Sequence, residues 1–114
     1  KRSGWLITKH DLKLSSKNHF KIRSKVWLYS GMAGWHFVTL PKKKSADIRK
    51  TFGALKRGWG SLPVTITIGK TSWKTSIFPD KKIGAYLLPL KADIRKKEDI
   101  SAGDTITIFM EVRV

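Results

Sequence analysis

The chain writes the same words twice, in the same order. Residues 40–68 read "LPKKKSADIRKTFGALKRGWGSLPVTITI" and residues 88–112 read "LPLKADIRKKEDISAGDTITIFMEV". The agreement reaches further upstream. Trp27, Gly34, Trp35, Leu40-Pro41, Ala46 to Lys50, Gly53 and Thr65 to Ile68 align in order with Trp73, Gly84, Tyr86, Leu88-Pro89, Ala92 to Lys96, Gly103 and Thr105 to Ile108. The first copy carries extra residues before its TITI, among them "KRGWGSLP". Several features agreeing in order point to an internal duplication rather than to one word repeated by chance.

Each copy reads as strand, strand, helix, strand. Phe20, Ile22, Val26 and Leu28 fall on even positions, while Lys21, Arg23, Lys25, Trp27 and Tyr29 fall on odd ones. That alternation gives a strand one apolar face and one face that is basic and then aromatic. "SGMAG" marks a turn and "WHFVTL" a second strand. Pro41 ends that strand, and "SADIRKTF" predicts a helix with Ser45 as N-cap, Ile48 and Phe52 on one face, and Gly53 closing it. Residues 64–78 predict a hairpin turning at Gly69-Lys70, "PDKKIG" a turn, and "AYLLPL" a strand. "KADIRKKE" predicts the second helix, "SAGD" a turn, and the alternating Ile106, Ile108, Met110 and Val112 the last strand.

Neither half can pair its own strand edges or bury its own apolar face. The expected fold is therefore mainly β, a six-stranded double-split-type barrel with internal pseudo-twofold duplication and two short helices over its ends. A two-layer α+β sheet built from the same elements is the alternative. Residues 1–19 lack a sustained period and read as a loosely ordered basic arm, leaving residues 20–114 as the barrel domain.

Charge is the other strong constraint. The 114 residues hold 24 Lys and Arg against 8 Asp and Glu, a formal +16, and no cysteine. A chain without cysteine has neither a disulfide framework nor a thiolate metal site, as a reducing cytoplasm permits. Its apolar runs are too short for a membrane span, so a cytoplasmic protein with no membrane partner is expected. An excess of positive charge attracts polyanions through long-range fields and counterion release, or else serves only as a solvated surface.

The stretches "VWLYSGMAGWHFVTLP" and "RGWGSLPVTITIGKTSWKTSIFPDKKIGAYLLPLKADIRKKEDISAGDTITI" resemble the bacterial DUF1905 family, a domain of unknown function, over about residues 20–113. The resemblance implies a small β-barrel of the double-split kind, the general fold of the AbrB/MazE-like DNA-binding domains. It implies no biochemical activity, because a shared barrel is an analogy of fold.

Catalytic chemistry finds few candidates. Asp47 and Asp93 occupy equivalent helix positions, Asp99 and Asp104 flank a turn, and Asp11, Asp80, Glu98 and Glu111 are scattered. These read as caps, dipole partners or solvated charges, and no catalytic residue is assigned. His10, His19 and His36 have no metal-site spacing, "GALKRGWG" lacks the P-loop ending, and no serine sits in a nucleophile elbow. No cofactor or metal is expected, and the reading leans away from an enzyme.

Two constellations remain. Lys21, Arg23 and Lys25 repeat every second residue, Lys42, Lys43 and Lys44 cluster ahead of the predicted first helix, and Arg57 lies in the extra segment. With Trp27 or Trp59 as stacking faces, they suit a noncatalytic module binding a polyanion such as nucleic acid without strong sequence preference. A solvated edge strand protected by lysines is the plainer reading of the first row. The second constellation is Trp35, His36, Trp59, Trp73, Lys74 and Tyr86, which a closed barrel would gather into an aromatic pocket at its mouth for a small ligand or an enzymatic site. Plain core and rim packing is the alternative for each tryptophan. An adaptor for an acidic protein shares the same charge signature. A duplicated unit can close within one chain, so a monomer is expected.

Overall fold

The computed structural model describes residues 18–31 and 34–114. The arm expected over residues 1–19 lies outside them apart from Asn18 and His19, and so do Met32 and Ala33 of the SGMAG turn. Six strands follow in chain order: β1 (His19–Leu28), β2 (His36–Thr39), β3 (Leu62–Ile68), β4 (Thr71–Asp80), β5 (Ala85–Pro89) and β6 (Thr105–Val112). Two helices, α1 (Lys42–Phe52) and α2 (Ala92–Lys97), and two 3-10 turns, Gly53–Leu55 and Gly58–Gly60, complete the described elements. Every strand pair is antiparallel, and the ring closes in the order β1, β2, β5, β4, β3, β6. The fold is thus a mainly β closed barrel with two short helices, not the two-layer sheet. No helix among the described residues is long and apolar enough to cross a membrane.

Period-two patterning fills the barrel. Ile22, Val26, Val38, Val64, Ile66, Ile77, Leu88, Ile108 and Met110 are inward and almost fully buried. Burying a side chain of this size is worth about 1.5–3 kcal/mol, so the alternation drives closure of the ring. Gly69, at φ +57°, allows the two-residue connection that lays Ile68 against Thr71. Closure leaves the odd-numbered residues of β1, β3 and β6 on the outer wall.

The helices cover opposite ends. At one end β2 stops and β5 starts, and there the Tyr86 amide donates to the buried Ser45 Oγ of α1 at 3.0 Å. At the other end the Leu90 amide donates to the His36 carbonyl at 2.9 Å and leads into α2, whose Glu98 accepts from Thr71 Oγ1 at 2.6 Å. α2 stops in a Schellman-type end: Asp99 turns left-handed at φ +54°, and the amide of buried Ile100 reaches back to the Arg95 carbonyl at 2.8 Å.

Ser45 is therefore not the N-cap expected from the sequence. The helix begins one turn earlier, with Pro41 in extended backbone (φ −55°, ψ 145°) at the cap position and Lys42 to Lys44 as its first turn. An added turn of about 3.6 residues lengthens the helix without rotating its buried face, so Ile48 and Phe52 still point at the core. Gly53 does end α1, but in a right-handed conformation that continues into the 3-10 turn.

Exchanging β1, β2 and β3 with β4, β5 and β6 leaves the strand order of the ring unchanged. This is the connectivity a duplicated unit would produce. The hydrogen bonds also alter the alignment of the two halves. The Leu40 amide bonds the Tyr86 carbonyl and the Leu90 amide bonds the His36 carbonyl, each at 2.9 Å. By place in the ring, Leu40 answers Leu90 rather than Leu88, and His36 rather than Trp35 answers Tyr86.

Candidate functional site

The basic row of β1 stands on the outer wall. Lys21, Arg23 and Lys25 are exposed, and β6 runs beside them in a register that pairs Lys21 with Phe109, Arg23 with Thr107 and Lys25 with Thr105. Arg23 Nη1 donates to Thr107 Oγ1 at 3.1 Å, and Lys21 Nζ lies 5.9 Å from the centroid of the Phe109 ring. β3 extends the surface with Thr67, which faces Phe109 across the β3–β6 pair and shares a 2.7 Å hydroxyl contact with Ser72 of β4. Phe109 is 52% exposed in the midst of these cations and hydroxyls. Sequence reading missed it, although its parity held the signal: Ile108 and Met110 point inward, so Phe109 points out. At the edge of this wall Glu111 meets His19 at 3.9 Å.

The second basic cluster begins beside the first. Ser24 Oγ of β1 donates to the Thr39 carbonyl at 2.8 Å, just before β2 leaves the sheet toward α1. Lys42 and Lys43 are exposed in that first turn and Lys44 is half-buried. The first turn of α1 contains no acidic residue, so cations there face the positive end of the helix and raise its appetite for anions. Arg57 is exposed in the loop after α1, and its amide donates to the Ser61 carbonyl at 2.8 Å.

The six residues expected to form one aromatic pocket do not share one: Trp35 lines a pocket with His36 beside α2 and a groove with Lys74, Trp59 and Tyr86 meet at the other end, and Trp73 joins the core. Trp73 points inward, packs against the core, and has a buried indole Nε1 with no hydrogen-bond partner in the protein. Trp35 is 49% exposed on the outer wall, with its ring stacked 5.8 Å from Phe37. Lys74 joins Trp35, Phe78, Pro89, Lys91 and Arg113 along a shallow groove over β4 and β5. His36 faces α2: its Nδ1 lies 2.8 Å from the Gly34 carbonyl and its Nε2 3.4 Å from Arg95 Nη1, a pairing that suits a proton on Nδ1. Tyr86 and Trp59 do come together, at the opposite end under α1, in a cleft of about 500 Å³.

Trp27, a candidate for stacking bases, is half-buried. Its Nε1 donates to Thr39 Oγ1 at 2.9 Å, and its ring packs 5.2 Å from Phe37, which Tyr29 meets edge-on at 6.1 Å. These aromatics form a cluster on the outside of the β1–β2 pair, with Phe37 at its centre. Phe37 too was legible only by parity with inward Val38.

Burial raises the Tyr86 phenol above its ordinary 10, against an opposing pull from Arg49. The group is thus a neutral O–H at physiological pH. Among the described residues no three of His, Asp and Glu gather in a way that could hold a metal ion.

The model of the family described as "Domain of unknown function (DUF1905)" matches residues 23–110. The chain belongs to this family. The matched stretch of the DUF1905 domain runs from Arg23 within β1 to Met110 within β6, and so takes in β2 to β5, both helices and most of β1 and β6. A comparison with curated proteins returns no match.

Proposed function

We propose that this DUF1905 domain is a noncatalytic module that binds a polyanion, a single-stranded nucleic acid, along the outer wall of β1 and β6. The observation that carries the reading is the arrangement around Phe109: an exposed ring on a strand paired at both edges, with Lys21 beside it on β1, Arg23 and Lys25 in line, and the hydroxyls of Thr67 on β3 and Thr107 on β6 nearby. An exposed aromatic on a sheet stacks a base at little cost in ordering, while the flanking cations hold phosphates and the hydroxyls accept or donate to sugar and backbone. A single strand fits better than a duplex, because a duplex hides the faces of its bases. The overall +16 adds long-range attraction, and Lys42, Lys43 and Arg57 offer further phosphate contacts where α1 and its following loop adjoin the barrel end. The reading places the protein in the cytoplasm as a monomer, where nucleic acid is abundant.

The test is equilibrium binding of labelled single-stranded DNA, RNA and duplex DNA over a salt series, with heparin as competitor. Single strands should bind more tightly than duplex and more tightly than heparin, with affinity falling steeply as salt rises. Equal affinity for heparin and nucleic acid, or insensitivity to salt, would overturn the reading.

A further inference from the structure

Trp59 is 92% exposed, yet its backbone sits at φ 64°, ψ 15°. The left-handed region is costly for a bulky side chain, and residues held there without burial in return cluster at ligand sites. The loop that imposes this conformation is firmly closed. The Arg57 amide donates to the Ser61 carbonyl at 2.8 Å, the Gly60 amide to the Arg57 carbonyl at 2.9 Å, and the Ser61 amide to the Gly58 carbonyl at 3.1 Å. Gly60 lies so close to β4 that a Cβ there would come within 2.9 Å of Pro79 Cγ. The indole is therefore held out into solvent by a rigid frame instead of trailing from a loose loop.

Beside it opens the cleft of about 500 Å³ that Trp59 shares with Tyr86. Its charged lining is Arg49, Lys56 and Lys81 against Asp80 alone. Asp80 is already engaged, with Oδ1 accepting from the Lys82 amide at 3.0 Å. Arg49 is oriented by a 3.2 Å bond from Nη2 to the Gly84 carbonyl, which leaves its other N–H groups for a ligand. Pro79, Ala85 and Tyr86 supply an apolar floor.

We propose that this cleft binds a single nucleotide unit, its base stacked on Trp59 and its phosphate held by Arg49, Lys56 and Lys81. A phosphomonoester carries about 1.5 to 2 negative charges at neutral pH, which suits three cations and one occupied carboxylate. A cleft of about 500 Å³ has room for one base and its sugar. The site lies at the α1 end of the barrel and stands independently of the Phe109 wall.

The experiment follows the indole Nε1–H signals of the five tryptophans by NMR, with the Trp59 signal assigned from its loss in Trp59→Leu. The ligands are adenosine monophosphate, adenosine, inorganic phosphate, and a deoxyadenosine octamer with and without a 5′-phosphate. Adenosine monophosphate should shift the Trp59 signal and the Gly84 and Tyr86 amides, with adenosine and phosphate alone each binding at least about tenfold more weakly. Trp59→Leu should weaken binding about tenfold, as should Trp59→Gly, which keeps the loop's conformation without its strain. Combined Lys56→Ala and Lys81→Ala should weaken the monophosphate but leave adenosine unchanged.

A 5′-phosphorylated octamer that binds more tightly than both its unphosphorylated form and the monophosphate identifies the end of a strand as the source, and parity with the monophosphate identifies a free nucleotide. Replacing Lys21, Arg23 and Lys25 by alanine should not move any of these shifts, which separates this site from the wall. The proposal is overturned if monophosphate at about 10 mM leaves the Trp59 signal unmoved, if adenosine binds as well as its monophosphate, or if both Trp59 variants bind like the native protein.

Discussion

Arg49 and Arg95 perform one task at opposite ends of the barrel, each in the other half of the chain. Arg49 of α1 donates from Nη2 to the Gly84 carbonyl in the β4–β5 turn at 3.2 Å, and Arg95 of α2 donates from Nη2 to the Gly34 carbonyl in the β1–β2 turn at 3.3 Å. Each helix thereby fastens a turn that the other half of the chain supplies, so the two ADIRK segments interlock the halves. Arg95 does more, because its Nε also reaches the Leu90 carbonyl at 3.2 Å and its Nη1 reaches His36.

Replacing either arginine by alanine should destabilise the fold, and Arg95→Ala should cost more than Arg49→Ala. Arg49 is exposed, and its single contact is worth about 0.5–1 kcal/mol; the half-buried Arg95 has three acceptors and should contribute about 1–2 kcal/mol. Urea denaturation of the two variants measures the difference. Equal losses would mean that the extra contacts of Arg95 contribute nothing.

Ser45 is the only polar residue fully buried among those described, and its hydroxyl accepts the Tyr86 amide while facing the Leu40 carbonyl at the long distance of 3.5 Å. Ser45→Ala should leave that amide buried without an acceptor, at a cost of about 1–3 kcal/mol. The better helix propensity of alanine recovers only a few tenths of this. A midpoint of thermal unfolding unchanged from the native protein would show that the hydroxyl is not the lock between α1 and β5.

Tyr86 gives the fold a pH limit at its alkaline edge. Burial lifts its phenol above 10, so the unfolded chain releases this proton before the folded one does. The stabilisation is complete below pH 10 and declines as pH rises from there through the folded value. Tyr86→Phe should remove this component, and the difference between the two proteins in denaturant midpoint should shrink or reverse above pH 10. Absorbance titration of the tyrosines gives an independent reading: a late phase present in the native protein should vanish in Tyr86→Phe.

The barrel was legible because alternation is a local signal and ring closure follows from having no other way to cover six apolar strand faces. Ile22, Val26, Ile106 and Ile108 announced their strands residue by residue. The start of α1 was not, since "KKKS" has no apolar period and three lysines oppose the helix dipole; the helix nonetheless starts directly after Pro41, whose carbonyl accepts from the Ser45 amide at 2.9 Å. The aromatic residues were legible as a set but not by place. Trp73 and Lys74 are neighbours in sequence, and a strand sends one into the core and the other to the wall. Trp35 and Tyr86 looked equivalent and lie near opposite ends, because deciding between offsets of one residue needs the pairing between β2 and β5.

The wall itself predicts how binding should respond to salt. Lys21, Arg23 and Lys25 lie on one strand at a spacing of about 6.6 Å, so one extended backbone can meet all three. Each phosphate contact to a single strand contributes about 0.7 to the slope of log affinity against log salt. Replacing all three by alanine should therefore lower the slope by about 2, whereas Phe109→Ala should weaken binding five- to tenfold or so with the slope unchanged, because stacking releases no counterions. The same plot for Lys42→Ala with Lys43→Ala shows whether α1 shares the path of the strand: a slope lowered by about 1.4 puts both lysines on it. If Phe109→Ala and the triple variant reduce the slope alike, or if neither changes affinity, the strand does not run along β1 and β6.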